Sequence, residues 1–160
     1  MPRTSRSAKS VPAAAALAYQ LRHFIAGVIL YNQRVAEQLG MHPTDMQTLH
    51  LLELLGPLTP GKLAECTGLT TGGVTVMLDR LEKAGYARRE RNPADRRSVL
   101  VYLNTAKMAK IGEFYVEINE QLARFLAEYP QRDLETVVKF LTKINSIRTP
   151  PLRLRKTKAR

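Results

Sequence analysis

Between Pro60 and Leu103 the spacing of apolar residues changes from helical to alternating, and glycines punctuate the change. Few folds accept that order. Thr59-Pro60 opens a short helix with a capping hydroxyl and a proline in the first turn, where its missing N–H costs nothing. That helix ends around Cys66. Thr67-Gly68-Leu69 then makes a compact turn, and Thr70 or Thr71 caps a second helix that Gly85 closes. Two helices joined by a short glycine-containing turn form a helix-turn-helix pattern. Tyr86–Arg91 and Val99–Leu103 follow as strands around the turn Asn92-Pro93-Ala94-Asp95. The expected class is mainly α with a small β-hairpin (α+β).

Longer helices flank this core. Leu17, Leu21, Phe24, Ile25, Val28, Ile29 and Val35 form a helical stripe from about Ala13 to Leu39, where Gly40 ends it. Pro43-Thr44-Asp45 starts the next helix, with Thr44 or Asp45 as its cap. Beyond the hairpin, one long helix is expected from about Thr105 to Tyr129, broken by Pro130 from a last helix ending near Ile147. The chain thus divides into tails at 1–12 and 149–160, helical regions at 13–40 and 104–148, and a central region at 41–103. The flanking helices carry more apolar surface than a small lobe can cover, which points to packing across a twofold axis.

Charge is concentrated rather than spread. The formal charge is +11; residues 1–10 hold +3 and residues 148–160 hold +6, with no acid in either stretch. Residues 80–97 place seven basic side chains against Glu82, Glu90 and Asp95. Such a chain favours a polyanion. The longest unbroken apolar run, Phe24–Leu30, is too short for a bilayer, so a cytoplasmic protein without a membrane partner is expected. Both tails read as disordered.

Wound at 100° per residue, the helix after Thr70 gathers Val74, Met77, Leu78 and Leu81 on one side. Gly72, Val76, Asp79 and Lys83 gather on the other, flanked by Thr75 and Arg80. The first turn, Thr70-Thr71-Gly72-Gly73, offers amides to a phosphate. Thr75 and Val76 methyls suit a thymine methyl. Each glycine costs about 1 kcal/mol relative to alanine inside a helix, and less near its end. Arg88, Arg89 and Arg91 lie on the outgoing strand, and Asp95-Arg96-Arg97 sits at the loop, where Asp95 is within reach of a neighbouring arginine. An arginine on a hairpin tip can enter a minor groove.

The opening Pro43-Thr44, the pair Leu63-Ala64 and the run from Gly72 to Asn104 resemble the winged helix-turn-helix of the MarR (multiple antibiotic resistance regulator) family of transcription regulators. The wing signature of that family falls on Asp95 and Arg97. The resemblance implies a winged helix-turn-helix flanked by N- and C-terminal dimerisation helices, and a homodimer on a palindromic DNA operator. It implies that Arg97 enters the minor groove, that Asp95 orients the wing arginines, and that a small-molecule effector binds near His42, Met46 and Ile111. Many relatives carry a basic residue where this chain has Val76. The expected DNA-binding set is Thr70, Thr71, Gly72, Gly73, Thr75, Val76, Arg80, Arg88, Asp95, Arg96 and Arg97, and the expected function is a repressor released by its effector. The rival is an architectural binder, indifferent to sequence, that relies on its basic tails.

Other chemistry finds little support. His23, His42 and His50 lack short ligand spacing, so no metal and no cofactor are expected. Cys66, the single cysteine, is expected to be a small buried apolar group. No phosphate loop, HExxH or nucleophile elbow is present, which excludes the commonest enzyme signatures.

Overall fold

The computed structural model describes residues 12–147. Their order is α1 (Ala13–Gln38), α2 (Pro43–Leu55), α3 (Pro60–Thr67), α4 (Thr71–Lys83), β1 (Ala87–Arg91), β2 (Val99–Leu103), α5 (Thr105–Gly112), a 3₁₀ turn (Glu113–Tyr115), α6 (Val116–Ala127) and α7 (Gln131–Asn145). The chain divides into two units, Met1–Phe114 and Tyr115–Arg160. The basic tails expected to be disordered lie, Pro12 apart, outside the described residues.

In the first unit the core follows from the helical spacing. Val74, Met77, Leu78 and Leu81 are all buried, and they meet Met46, Leu49 and Leu52 of α2 and Leu63 of α3 in one apolar centre. Truncating one of these leucines to alanine would cost about 2–5 kcal/mol, because the removed methyls leave a void. The strands pair antiparallel with Ala87 opposite Leu103 and Arg89 opposite Val101. Val101 is the fully buried position of β2. Its N–H and carbonyl also pair with Leu58, at 2.8 and 3.3 Å, so the α2–α3 loop adds a one-residue third strand to the hairpin. Asn104 ties the next junction. Its side chain accepts from the Lys107 N–H and donates to the Gly85 carbonyl, capping α5 onto the end of the α4 turn.

Local caps decide the helix starts. Thr59 Oγ1 accepts from the Lys62 N–H and Thr70 Oγ1 from the Gly73 N–H. At α2 the cap is neither Thr44 nor Asp45. His42 holds that position, its Nδ1 accepting from the Thr44 N–H, because Pro43 takes the first helical position and shifts the start by one. Asp45 is left free to turn inward.

Two further expectations are corrected. The long helix beyond the hairpin is broken: α5 stops at Gly112 and a 3₁₀ turn precedes α6. Glycine is a poor interior helix residue, and 3₁₀ stretches mark such interruptions. Cys66 is exposed, not buried. Finally, α1 is long and apolar enough to cross a membrane by length and composition, which its longest unbroken apolar run concealed. Most of that hydropathy comes from Leu17, Leu21, Phe24, Ile25, Val28, Ile29 and Leu30, with the alanines adding to it, while Tyr19, Gln20, Arg22 and His23 interrupt the run. A helix covered by protein has the same composition. Within this chain only Val35 and Ala36 of α1 are buried.

Among the described residues, the second unit holds two amphipathic helices. Val116, Ile118, Leu122 and Phe125 of α6, and Val137, Val138 and Leu141 of α7, remain exposed large apolar side chains. Phe125 and Tyr129 pair as tilted rings with centroids 5.0 Å apart.

Candidate nucleic-acid interface

The outer side of α4 is uncovered. Thr71, Gly72, Thr75, Val76, Asp79 and Lys83 are exposed, while the four apolar residues behind them are buried. The two glycines have different reasons to be there. A Cβ on Gly73 would sit 3.3 Å from Thr70 Oγ1, against the hydroxyl that caps the helix. A Cβ on Gly72 would meet nothing within 4 Å. The cap therefore accounts for Gly73, whereas packing within the chain makes no demand on Gly72. Thr75 donates its hydroxyl to the Thr71 carbonyl at 3.1 Å, keeping its lone pairs and methyl outward.

Arg80, expected in the DNA-binding set, is paired within the chain. Its Nε and Nη2 donate to Asp45 Oδ2 and Oδ1 at 3.1 and 2.6 Å. Asp45 is only 4% exposed, so the pair fastens α4 to α2 from the flank. The hydrogen bond to Asp45 holds the Arg80 guanidinium above the usual arginine range, so it stays charged at any working pH.

Arg89, which sequence reading left among the general basic residues of the hairpin, joins β1 to α4. Nη1 donates to Asp79 Oδ1 at 2.7 Å and Glu82 Oε2 at 2.6 Å, and Nη2 donates to the Thr75 carbonyl at 3.2 Å. Its backbone N–H donates to the other Glu82 oxygen. The only signal in the sequence was a helix-spaced Asp79 and Glu82 facing the first strand. Arg88 pairs with Glu90 at 2.5 Å and lies 5.3 Å from the centroid of the Tyr102 ring.

The loop tip is built from side-chain-to-backbone bonds. Asn92 Oδ1 accepts from the Ala94 N–H, and Asn92 Nδ2 donates to Ser98 Oγ. Ser98 donates its hydroxyl to the Asp95 carbonyl. Asp95 Oδ1 accepts from the Arg97 N–H at 3.0 Å. The expected pairing of Asp95 with an arginine side chain is thus replaced by a bond to the arginine backbone, since an acid two residues ahead reaches the N–H first. Among the described residues, Arg91, Arg96 and Arg97 have no carboxylate within 4 Å, and all three are exposed.

Of the residues expected near an effector, two lie in the core and one caps α2. Met46 and Ile111 are fully buried in the core, where their helix-facing stripes place them, and His42 is the α2 cap. His42 instead borders a recess of about 320 Å³ with Gly72, Val76 and Arg80, beside the outer side of α4. Among the described residues no three His, Cys, Asp or Glu side chains converge as a metal set.

Comparison with known proteins agrees with this architecture. The profile of the MarR family matches residues 39–98. The HTH-type transcriptional regulator YcgE of Bacillus subtilis is 40% identical over 119 residues, covering 74% of this chain and 77% of YcgE. Two solved structures share the fold. A MepR point mutant from a multidrug-resistant S. aureus clinical isolate superposes with a TM-score of 0.69 at 20% identity, over 81% of this chain and 95% of that one. Wild-type MarR of E. coli in its apo form gives 0.53 at 24% identity, over 84% and 96%. These relatives are transcription regulators, not enzymes. The chain belongs to the MarR family of helix-turn-helix transcription regulators.

Proposed function

We propose that the protein is a homodimeric, sequence-specific DNA-binding repressor of the cytoplasm, released from a palindromic operator by a small-molecule effector. The observation that carries the reading is the contrast in pairing across the hairpin. Arg88 and Arg89 on β1, like Arg80 on α4, are matched by carboxylates, whereas Arg91, Arg96 and Arg97 toward the tip are not, and Arg89 ties the hairpin to Thr75 and Asp79 on the uncovered side of α4. In this reading α4 enters a major groove with Thr71, Gly72, Thr75 and Val76 foremost, and the hairpin is the wing whose Arg97 enters the adjoining minor groove. Thr70 and Gly73 set the start of α4, and the Asp95 bond fixes where the Arg97 side chain departs.

The exposed apolar sides of α1, α6 and α7 support dimerisation, because a monomer with so much uncovered apolar surface would self-associate. A dimer presents two α4 helices, and DNA requires them about one helical turn apart. An effector that alters that spacing by a few ångströms weakens both contacts together. The test is a footprint on the DNA flanking the gene, with random duplex as competitor. Protection of one palindrome at high competitor supports the repressor. Equal displacement by random duplex would leave a sequence-indifferent architectural binder.

A further inference from the structure

We propose that His42, which lies outside the helix-turn-helix, donates a hydrogen bond from Nε2 to a backbone phosphate on one wall of the DNA groove that α4 enters. The inference rests on the reading of α4 as the groove helix and adds a residue to it. A helix with its side chains is about 10–12 Å across and the major groove about 12 Å wide, so the two flanks of such a helix meet the two phosphate walls.

The flanks of α4 are built differently. On one, Arg89 of the hairpin bonds Thr75, Asp79 and Glu82. Gly73 and Arg80 lie roughly opposite Thr75 and Glu82 around the helix. There Arg80 is fastened to Asp45 in the first turn of α2. Three residues before Asp45, His42 borders the recess of about 320 Å³ that Gly72, Val76 and Arg80 also line. The hairpin thus stands at one wall of the groove and His42 at the other. Base edges form the groove floor, in front of Gly72 and Val76, so an acceptor met on the flank belongs to the backbone.

The imidazole has the chemistry for a phosphate oxygen. A backbone N–H can only donate, so the bond from the Thr44 N–H to His42 Nδ1, at 3.3 Å, requires a lone pair on that nitrogen. The ring proton is then on Nε2. His42 is exposed, and its hydrogen bonds within the described residues are made at Nδ1 and at the backbone carbonyl. The helix end itself offers no competing donor: the Thr44, Asp45 and Met46 amides are taken up by His42, and Pro43 has none. No acid lines the recess, and Asp45 is buried and balanced by Arg80. Gly72 adds no side chain to its rim.

The test uses the operator fragment defined by the footprint, random duplex, and two complementary variants of the full chain. Asparagine caps a helix as Nδ1 does here but stops short of the Nε2 position, whereas glutamine carries an amide N–H out to it and is no cap. His42→Asn should keep the wild-type melting temperature and lose about tenfold in affinity for operator and random duplex alike, because a phosphate contact is made on any sequence. Its salt dependence should match the wild type, since a ring with a lone pair on Nδ1 brings no charge to the phosphate. His42→Gln should melt lower yet keep most of the affinity. Phosphate-ethylation interference should show one phosphate per half-site whose modification weakens the wild type and not His42→Asn. Full affinity of His42→Asn, a loss confined to the operator, or the same interference pattern in wild type and His42→Asn would each overturn the contact alone. A wild type that protects no DNA would overturn the reading of α4 and the contact with it.

Discussion

Arg80 and Asp45, 35 residues apart in sequence, are joined by two hydrogen bonds that fasten the outer flank of α4 to the first turn of α2. The pair is asymmetric: Asp45 is buried, while the Arg80 side chain is nearly half exposed. Removing the arginine leaves a buried carboxylate without a partner, whereas removing the acid leaves a guanidinium that water can reach. Arg80→Ala is therefore expected to destabilise the fold by about 2–3 kcal/mol and Asp45→Ala by about 1 kcal/mol. Urea unfolding followed by circular dichroism gives both values. The reverse order would show that the pair is not what holds α4.

Arg80 also shows where sequence reading stops. Helical winding placed it correctly beside the uncovered side of α4 and placed the buried set Val74, Met77, Leu78 and Leu81 behind it. Winding is local, and those are local facts. The partner of Arg80 is on another helix, and Pro43 displaced the α2 cap to His42 so that Asp45 could turn inward. The same limit hid Arg89, whose acceptors are on α4, and the Leu58–Val101 pair, which no alternation pattern reveals. The break at Gly112 was legible in principle. A continuous apolar stripe masked a single residue of low helix propensity.

Arg89 is expected to matter more for DNA than for folding. It neutralises Asp79 and Glu82, and Asp79 lies on the exposed side of α4. Arg89→Ala loses one cation and leaves two carboxylates without its guanidinium, of which Asp79 is on the side of the proposed groove. Three-quarters of that side chain is buried against its partners, so some stability is lost as well, about 1–2 kcal/mol. Operator affinity should fall by more than that, and most strongly at low salt. Fluorescence anisotropy at several salt concentrations, set beside a thermal melt, separates the two effects; a loss of affinity no larger than the loss of stability would refute the charge-masking role.

Gly72 offers a substitution with opposite signs for folding and binding. Space is open around its Cβ position, and its φ is not in the left-handed region. Gly72→Ala should therefore leave stability unchanged or raise it by up to about 1 kcal/mol, by restricting the unfolded chain. If backbone approach to DNA is the reason for the glycine, operator affinity should fall in the same variant. A stabilised protein with full affinity would remove Gly72 from the interface. Gly73→Ala is the control: it crowds the Thr70 cap and should destabilise instead.

The wing tip and Val76 should separate two kinds of contact. Arg97→Ala is expected to cost about 1–3 kcal/mol of operator binding if its side chain makes a groove contact, with random duplex much less affected. Val76 is 57% exposed on the groove side of α4 with no packing to lose. Val76→Lys should strengthen binding to operator and random duplex alike and steepen the salt dependence by about one unit. If instead Val76→Lys weakens the operator selectively, the valine itself reads a base, most simply a thymine methyl.

The dimer can be tested without DNA. Phe24 of α1 is 68% exposed and Val138 of α7 is 62% exposed among the described residues, each on an apolar helix side. Burying one such side chain at an interface is worth about 1.5–3 kcal/mol, and a charge placed there would have to be desolvated without a partner. Phe24→Glu and Val138→Glu should therefore shift the protein from dimer to monomer in sedimentation velocity, while Lys139→Glu, on the same helix, should not. The lobe that carries α4 has its own buried core, so the monomer should keep its helical circular dichroism. Its operator affinity should collapse to that of a single half-site. A chain that sediments as a monomer before any substitution would refute the twofold arrangement, and with it the need for a palindrome.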